Sequence, residues 1–394
     1  MFKLLPVRSP IAVGMFLACA YQSVACGSGS KPYQDSVSGG GQGGDGQGGQ
    51  AGGGESGGGQ DLGGAGGAAT TTRTWTFSPL HVDGNKIKNE AGEEVILRGV
   101  STIDIGTTQE SEGGLLKMID RLTNRDDPQG NSPGWYTTVV RLAIYPSDSD
   151  HARSPITFQS GSDIFYEKLL KPAVERLKER GAYAIIDWHY IGDTNLHRAT
   201  TEEFWAYMAP KFAAEPNVIY ELFNEPVNKS GGWPAVKEDM QSWYDIVRSS
   251  AKENLVLVGT PSWCQVLAPT AEDPLDGYNI AYVAHIYPMH WKWAETIRGV
   301  ETANAVHPVF LTEWGYGQSS DSVTHGDQAT YGDPLKAWVE AQGMSWTAWC
   351  ASKSWTPPMF DASMNLLVGP DRMGGFTKDW LYEKRNDRSP FSDP

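Results

Sequence analysis

Asn217-Val218-Ile219-Tyr220-Glu221-Leu222-Phe223-Asn224-Glu225-Pro226 decides how the rest of the chain is read. The apolar run from Val218 to Phe223 has the length and residue types of a buried strand. Pro226 has no amide hydrogen and cannot continue a central strand, so the run leaves the Glu225 carboxyl at its mouth. A later stretch repeats the arrangement: Pro308-Val309-Phe310-Leu311-Thr312 is apolar and ends in Glu313-Trp314-Gly315. Two carboxyl groups at the ends of buried strands are the pair that cleavage of a glycosidic bond requires, one as acid and one as nucleophile or base.

Working outward, strands and helices alternate. A small hairpin comes first, around turns at Asp83-Gly84 and Ala91-Gly92. The spacing predicts strands over Val95–Val100, Val139–Ile144, Tyr183–Asp187, Val218–Leu222, Leu255–Val258, Ile280–His285, Val309–Thr312 and Met344–Trp349. Helices are expected over Leu115–Leu122, Ile164–Arg180 (with Gly181 as its C-cap), Thr201–Phe212, Trp233–Ser249, Trp291–Ala303, Tyr331–Gln342 and Phe376–Arg385. Residues 261–279 show no clean helical period. Alternation implies a parallel sheet, and eight units favour a closed (β/α)₈ TIM barrel, with the hairpin as a small N-terminal addition. No Gly-x-Gly-x-x-Gly follows the first strand, which weakens a dinucleotide-binding alternative.

The chain has 394 residues and a net charge of -15. An acidic balance argues against nucleic acid, which needs clustered Lys and Arg. Residues 1–26 read as an export signal, with Lys3 and Arg8 before a short apolar core from Ile11 to Ala20. Ser23-Val24-Ala25-Cys26-Gly27 resembles a bacterial lipoprotein cleavage site, although Ser23 stands where Leu is usual. Lipid anchoring at Cys26 is the expectation, with plain secretion as the alternative; either places the protein outside the cytoplasm, at the outer membrane or cell surface or secreted. Residues 27–72 are Gly, Gln, Ser and Ala with almost no apolar side chains, a composition that cannot offset its ordering entropy and reads as a flexible linker. All 15 Trp follow, in residues 73–394, which form the third segment and hold one large core.

In such barrels the reactive groups sit at the C-terminal ends of the strands. Those ends carry Arg141, Asp187-Trp188-His189-Tyr190, Asn224-Glu225, Trp263-Cys264-Gln265, His285-Ile286-Tyr287, Glu313-Trp314, and Trp349 with Ser352. Cys264 and Cys350 follow strands far apart around the barrel, so two free thiols are expected rather than a disulfide. No His-x-His or clustered Asp/His pattern points to a catalytic metal. Glu221 alternates away from Glu225 and is expected to point outward.

Residues 74–388 resemble glycoside hydrolase family 5, retaining β-glycanases on a (β/α)₈ barrel. The resemblance rests on Leu97-Arg98-Gly99-Val100, Arg141, Ile185-Ile186-Asp187-Trp188-His189, Tyr220 through Pro226, Leu257-Val258-Gly259-Thr260, His285-Ile286-Tyr287, Phe310 through Gly315, and Ser345 through Trp349, in the family's order. It implies that Glu225 is the acid/base and Glu313 the nucleophile. It places Arg141 beside Glu313, where a cation favours the ionised carboxylate. Tyr287 then bonds the nucleophile and Asn224 the sugar 2-hydroxyl. His189 and His285 line the subsite at the cleaved bond, and Trp349 is its aromatic floor. Trp263, Trp291, Trp293 and Trp355 remain open between glycan platforms and loop packing. After the last strand, Trp349-Cys350-Ala351-Ser352-Lys353 departs from the Trp-Asn-Leu-Ser-Asp-Lys pattern of many cellulases.

The expected partner is a polysaccharide, attacked without a cofactor by a monomer. The lead expectation is an endo-β-1,4-glucanase. A mannanase, xyloglucanase or mixed-linkage glucanase on the same site is the alternative. A silent glycan-binding barrel would have lost a carboxylate, and a metal-dependent amidohydrolase lacks its ligand cluster.

Overall fold

The computed structural model describes residues 74–125, 134–147, 154–227 and 231–391. The export signal and linker expected over 1–72 lie outside these residues, as does part of the unusual loop expected from Tyr145 to Ser162. Among the described residues no helix is long and apolar enough to cross a membrane.

The hairpin forms from β1 (His81–Asp83) and β2 (Lys86–Lys88), turning at Gly84 with a left-handed φ of 60°. The barrel strands are β3 (Arg98–Thr102), β4 (Val139–Ile144), β5 (Tyr183–Trp188), β7 (Val218–Glu221), β9 (Val256–Val258), β10 (Ile280–His285), β11 (Val309–Glu313) and β12 (Ser345–Ala351). Each is parallel to its neighbour in chain order, and β12 pairs with β3 to close the ring. Between them β6 (Ile191–Gly192) and β8 (Glu225–Pro226) form a separate parallel pair.

The first barrel strand starts later than expected. The amides of Val95, Ile96 and Leu97 are taken by Ile87 O, Arg388 O and Ser345 Oγ, so this stretch joins the hairpin and C-terminus to the barrel instead of lengthening β3. A helix over Ile105–Ser111, capped by the Asp104 side chain on the Thr107 amide, has no apolar period and was not expected. The expected 164–180 helix forms with a π-turn over Tyr166–Leu170, after which Pro172 opens the regular helix Lys171–Arg180. Proline lacks the amide that an inner helical turn needs, so it belongs at the start of that segment. Gly181 ends the helix with φ 73°. The weak fifth crossover contains only the short turns Pro261–Cys264 and Ala268–Ala271.

Alternation along each strand decides what faces the barrel axis. Val218, Tyr220 and Leu222 belong to the apolar cluster packed under the helices, whereas Ile219 joins Val139, Ile185, Leu257, Ala281, Val283 and Phe310 in the interior cluster. Two residues further along the same faces come Arg141, Asp187, Glu221, His285 and Thr312, all fully buried. The barrel is thus filled by an apolar layer below and a polar layer above.

Candidate active site

Arg141 is the centre of the polar layer and is completely buried. Its Nε and Nη2 donate to Glu221 Oε2 and Oε1 at 2.7 and 3.0 Å. Its Nη1 donates to Glu313 Oε1 at 2.8 Å. Nη2 also reaches Asn224 Oδ1 at 2.6 Å and Asp187 Oδ2 at 2.9 Å.

Glu221 therefore points inward, which corrects the expectation that it faces out. Positions 221 and 225 are four apart, which alternation would put on one face, and Ile219 two residues before Glu221 already faces the interior. The chain leaves the barrel ladder after Glu221, and β8 is held separately: the Glu225 amide donates to Tyr190 O at 2.9 Å and the Val227 amide to Gly192 O at 2.7 Å. Sequence alternation does not carry across that break. Close approach of backbone beneath it is permitted by Gly259, where a Cβ would meet Phe223 O at 2.5 Å.

The two strand-end glutamates come together. One oxygen of Glu225, one of Glu313 and a ring nitrogen of His285 all lie within 4.8 Å of one another. Both carboxyl groups keep slight exposure, 12% for the Glu225 side chain and 6% for Glu313, so they open toward the cleft. Glu313 also accepts from the Tyr287 hydroxyl at 2.8 Å on Oε2. Glu225 Oε1 lies 2.8 Å from His285 Nδ1. A cation bound among these atoms would sit close to Arg141, whose guanidinium already occupies Glu313, and like charges in low dielectric repel strongly.

Their environments differ. Burial pushes the Glu225 carboxyl up to about 7, opposed by Arg141 and reinforced by Glu221. Burial also takes Asp187 to about 7, again against the pull of Arg141. It lowers His285 to about 4, so that imidazole is neutral near pH 7, with Glu313 opposing the shift. Burial and then the Glu313 charge drive the Tyr287 phenol well up, which keeps it a hydrogen-bond donor.

His189 lies on the other side of the site, with Nδ1 at 2.5 Å from Asp187 Oδ2. Its ring stacks on Trp349 at 5.2 Å between centroids and 13° between planes, and packs tilted against Tyr145 at 4.3 Å. Asn224 uses Oδ1 on Arg141, and its buried Nδ2 has no acceptor among the described residues. Every residue expected at the site (Arg141, His189, Asn224, Glu225, His285, Tyr287, Glu313 and Trp349) is thus in or beside one connected cluster.

Several members were not singled out. Asp187 and Glu221 bind Arg141 directly, and Thr312 bridges His285 and Glu221 at 3.0 and 3.1 Å. Their signal was available as polar residues two positions beyond an interior apolar residue. Glu112 is another: its carboxylate accepts from Ser352 Oγ, Lys353 N and Ser354 Oγ, which pins the loop after β12. No local pattern marks it. Of the four ambiguous tryptophans, Trp291 packs on Tyr331 and Trp338, and Trp293 on His290. Trp355 edges against Trp349 and Tyr145, while Trp263 is 42% exposed. Cys264 and Cys350 are both free and buried.

The cellulase family profile, glycosyl hydrolase family 5, matches residues 89–354. The chain belongs to glycosyl hydrolase family 5. Endoglucanase N of Pectobacterium atrosepticum is 28% identical over 322 residues, which is 80% of this chain and 65% of that protein. Endoglucanase 5 of Pectobacterium carotovorum is 27% identical over 322 residues, 80% of this chain and 57% of that one. The chain thus spans less than two thirds of the length of these curated relatives. Among solved structures, a β-glucanase of Saccharophagus degradans, determined both native and in complex with cellotetraose, is 25% identical with a TM-score of 0.67, covering 79% of this chain and 94% of that one. The catalytic domain of the Thermobifida fusca endoglucanase E5 shares the fold, with a TM-score of 0.63 at 22% identity over 77% of this chain and 97% of that one. This family 5 member keeps the barrel, and its polar layer lies at the end of the strands where barrel enzymes bind substrate.

Proposed function

We propose that this protein is a retaining endo-β-1,4-glucanase in which Glu225 is the acid/base and Glu313 the nucleophile. The observation that carries this is the close carboxyl pair with unlike surroundings. The oxygens within 4.8 Å fit direct attack on the sugar, since retaining pairs stand about 5–5.5 Å apart and inverting pairs farther. Glu313 accepts from a guanidinium on one oxygen and a phenol on the other, which hold its carboxyl group in place for attack. Glu225, held at about 7, keeps a proton to give.

In the first step a Glu313 oxygen attacks the anomeric carbon as the Glu225 proton passes to the leaving glycosidic oxygen. The C–O bond breaks, and a glycosyl ester on Glu313 remains. In the second step the Glu225 carboxylate takes a proton from water, whose oxygen attacks the same carbon and frees Glu313. The unpaired Asn224 Nδ2 is the donor for the sugar 2-hydroxyl. Trp349, braced by His189, offers its indole face to the apolar side of the pyranose.

Glucan is preferred as the backbone because the relatives named above are endoglucanases and a β-glucanase bound to cellotetraose. The test is a product profile on carboxymethyl cellulose, mixed-linkage glucan, xyloglucan, glucomannan and mannan, with Glu313→Gln as the blank. Cleavage of cellulosic substrates with retained anomeric configuration is expected. Turnover confined to mannan would overturn the glucan assignment, and full activity in Glu225→Gln and Glu313→Gln would overturn the site. Residues 1–72 are read as an export signal ending at Cys26 and a tether; palmitate labelling lost in Cys26→Ala is expected, and a wild-type protein that takes up no palmitate would remove the lipid anchor from that reading.

A further inference from the structure

Hydrogen-bond direction along one chain of side chains fixes more than the identity of the acid. The chain runs Glu221 Oε1, Thr312 Oγ1, His285 Nε2, His285 Nδ1, Glu225 Oε1, with links of 3.1, 3.0 and 2.8 Å. It joins three barrel strands, β7, β11 and β10, to the separate short strand β8. Glu221, Thr312 and His285 are all buried without exposure, so no solvent hydrogen bond substitutes for a missing partner.

Each link constrains the next. Burial raises the Glu221 carboxyl and Arg141 opposes that rise; both Glu221 oxygens already accept from the guanidinium, at 2.7 and 3.0 Å, so each is engaged as an acceptor. A carboxylate has no proton to give, so the Thr312 hydroxyl donates to it. Threonine has one O–H, and once that is spent its oxygen offers only lone pairs to His285. The Nε2 position must then carry the imidazole proton. A neutral imidazole has one proton, which leaves Nδ1 bare. A bare Nδ1 at 2.8 Å from a carboxyl oxygen is bonded only when that oxygen carries a proton.

Resting on the assignment of Glu225 as acid/base, we propose that Thr312 and Glu221 are positioning residues that hold His285 as the Nε2–H tautomer, and that this tautomer selects the protonated form of Glu225. The reverse polarity would need a proton on Glu221 against two guanidinium donors. Once Glu225 has given its proton to the leaving sugar, its carboxylate faces a lone pair on Nδ1. That repulsion draws a proton from the attacking water in the second step, so the same contact that keeps the acid ready also makes the base stronger.

The groups around Glu225 are accounted for. His285 comes from β10, with Nδ1 also 3.6 Å from Glu313 of β11. Arg141 of β4 lowers the Glu225 carboxyl and Glu221 of β7 raises it. Asp187 of β5, Cys264 after β9 and Tyr287 after β10 also feel its charge. His290 lies behind His285 and is itself lowered to about 4 by burial, so it brings no cation. Of these contacts only His285 is a tautomer-dependent partner bonded to Glu225.

The experiment has two readouts. In ¹⁵N-histidine-labelled wild-type protein, with the His285 signals assigned by their loss in His285→Ala, Nε2 is expected to be protonated and Nδ1 bare at neutral pH. Observation of the Nδ1–H tautomer overturns the proposal, whatever the enzyme's substrate. Thr312→Val removes the hydroxyl at nearly constant volume and frees His285 to turn its proton onto Nδ1, where it stabilises ionised Glu225. The basic limb of the kcat/KM profile is then expected to move down by about one pH unit, the effect of gaining a hydrogen bond to a charged group, and Thr312→Ser restores it. A Thr312→Val variant that loses rate equally at every pH overturns the positioning role. If that variant does not fold, the wild-type tautomer decides. Full hydrolysis by Glu225→Gln would defeat the acid/base assignment separately, because the tautomer is read without turnover.

Discussion

Two buried arginines on neighbouring strands, Arg98 and Arg141, do opposite things. Arg98 opens β3 at the N-terminal end of the barrel. It holds Glu340 through Nε and Nη2 at 3.0 and 2.7 Å, and reaches Asp387 O at 2.7 Å and Oδ2 at 3.3 Å. Its partners keep access to water, with Glu340 14% and Asp387 41% exposed. Arg141 lies in the layer above, at the C-terminal side. Its partners Asp187 and Glu221 are fully buried, and Glu225 stands beside them. Around Arg98 surplus charge is hydrated. Around Arg141 four carboxyl groups share one guanidinium, and they cannot all ionise. Burial raises Glu225 and Asp187 to about 7 against the pull of Arg141, and a neighbouring carboxylate adds to each rise, so protons are retained there. A buried ion pair is structural when its charges balance and becomes chemically useful when they do not.

Replacing each arginine with Met tests that contrast most severely. Arg141→Met leaves carboxylates buried without a cation, and a loss of about 3–5 kcal/mol of stability with no measurable turnover is expected. Arg98→Met is expected to lower stability by about 1–3 kcal/mol, because Glu340 and Asp387 rehydrate, and to leave kcat/KM per folded molecule unchanged. Denaturant titration and active-site titration measure both, and equal loss of specific activity in the two variants would break the comparison.

The pH–rate profile is a milder probe. The proton on Glu225 is required for the first step, so kcat/KM is expected to fall above about pH 7 in the free enzyme. Glu340→Gln, at the Arg98 end, should leave that limb where it is. A shifted limb would mean that the two ends communicate electrostatically.

Stability against pH gives a smaller signal. Glu225 rises on folding from its ordinary 4.5 to about 7, so between those values the folded state binds more protons than the unfolded chain. Its contribution is full below the ordinary value and is lost as pH rises through the folded value. Urea midpoints should therefore show a falling component between about pH 4.5 and 7 that Glu225→Gln diminishes. Smallest is the effect of Glu340→Gln on stability: one arginine contact weakened in a partly hydrated pair, about 1 kcal/mol or less by thermal unfolding.

Much of the barrel is legible as eight apolar runs separated by amphipathic stretches, because strand and helix periods are local properties. The runs at Val139, Tyr183 and Val309 begin where the strands do. The misses have local reasons as well. Ile105–Ser111 is helical through its Asp104 cap and the cover of its neighbours, and six of its seven residues are small or polar, all but Ile105. The fifth crossover has no regular helix because Ser262, Trp263 and Cys264 all take positive φ, at 58, 56 and 58°, where a helix would need negative values. At the site, Glu225 and Glu313 are legible from their strand ends. Glu221 is legible too, once its face is counted from Ile219 two residues earlier in the same strand and not from Glu225 beyond the strand end.

From the order of residues alone follow the alternation, the closed barrel and two carboxyl groups at one end of it. Each depends on periodicity or on proline stopping a strand, which neighbouring residues determine. What only the tertiary structure decides is the state of those carboxyl groups. Arg141 meets Glu313 across 172 positions of sequence, and Thr312 meets Glu221 across 91. Charge, burial and the direction of a hydrogen bond are properties of such meetings. That is why Glu221 becomes the anchor of the group beside the acid.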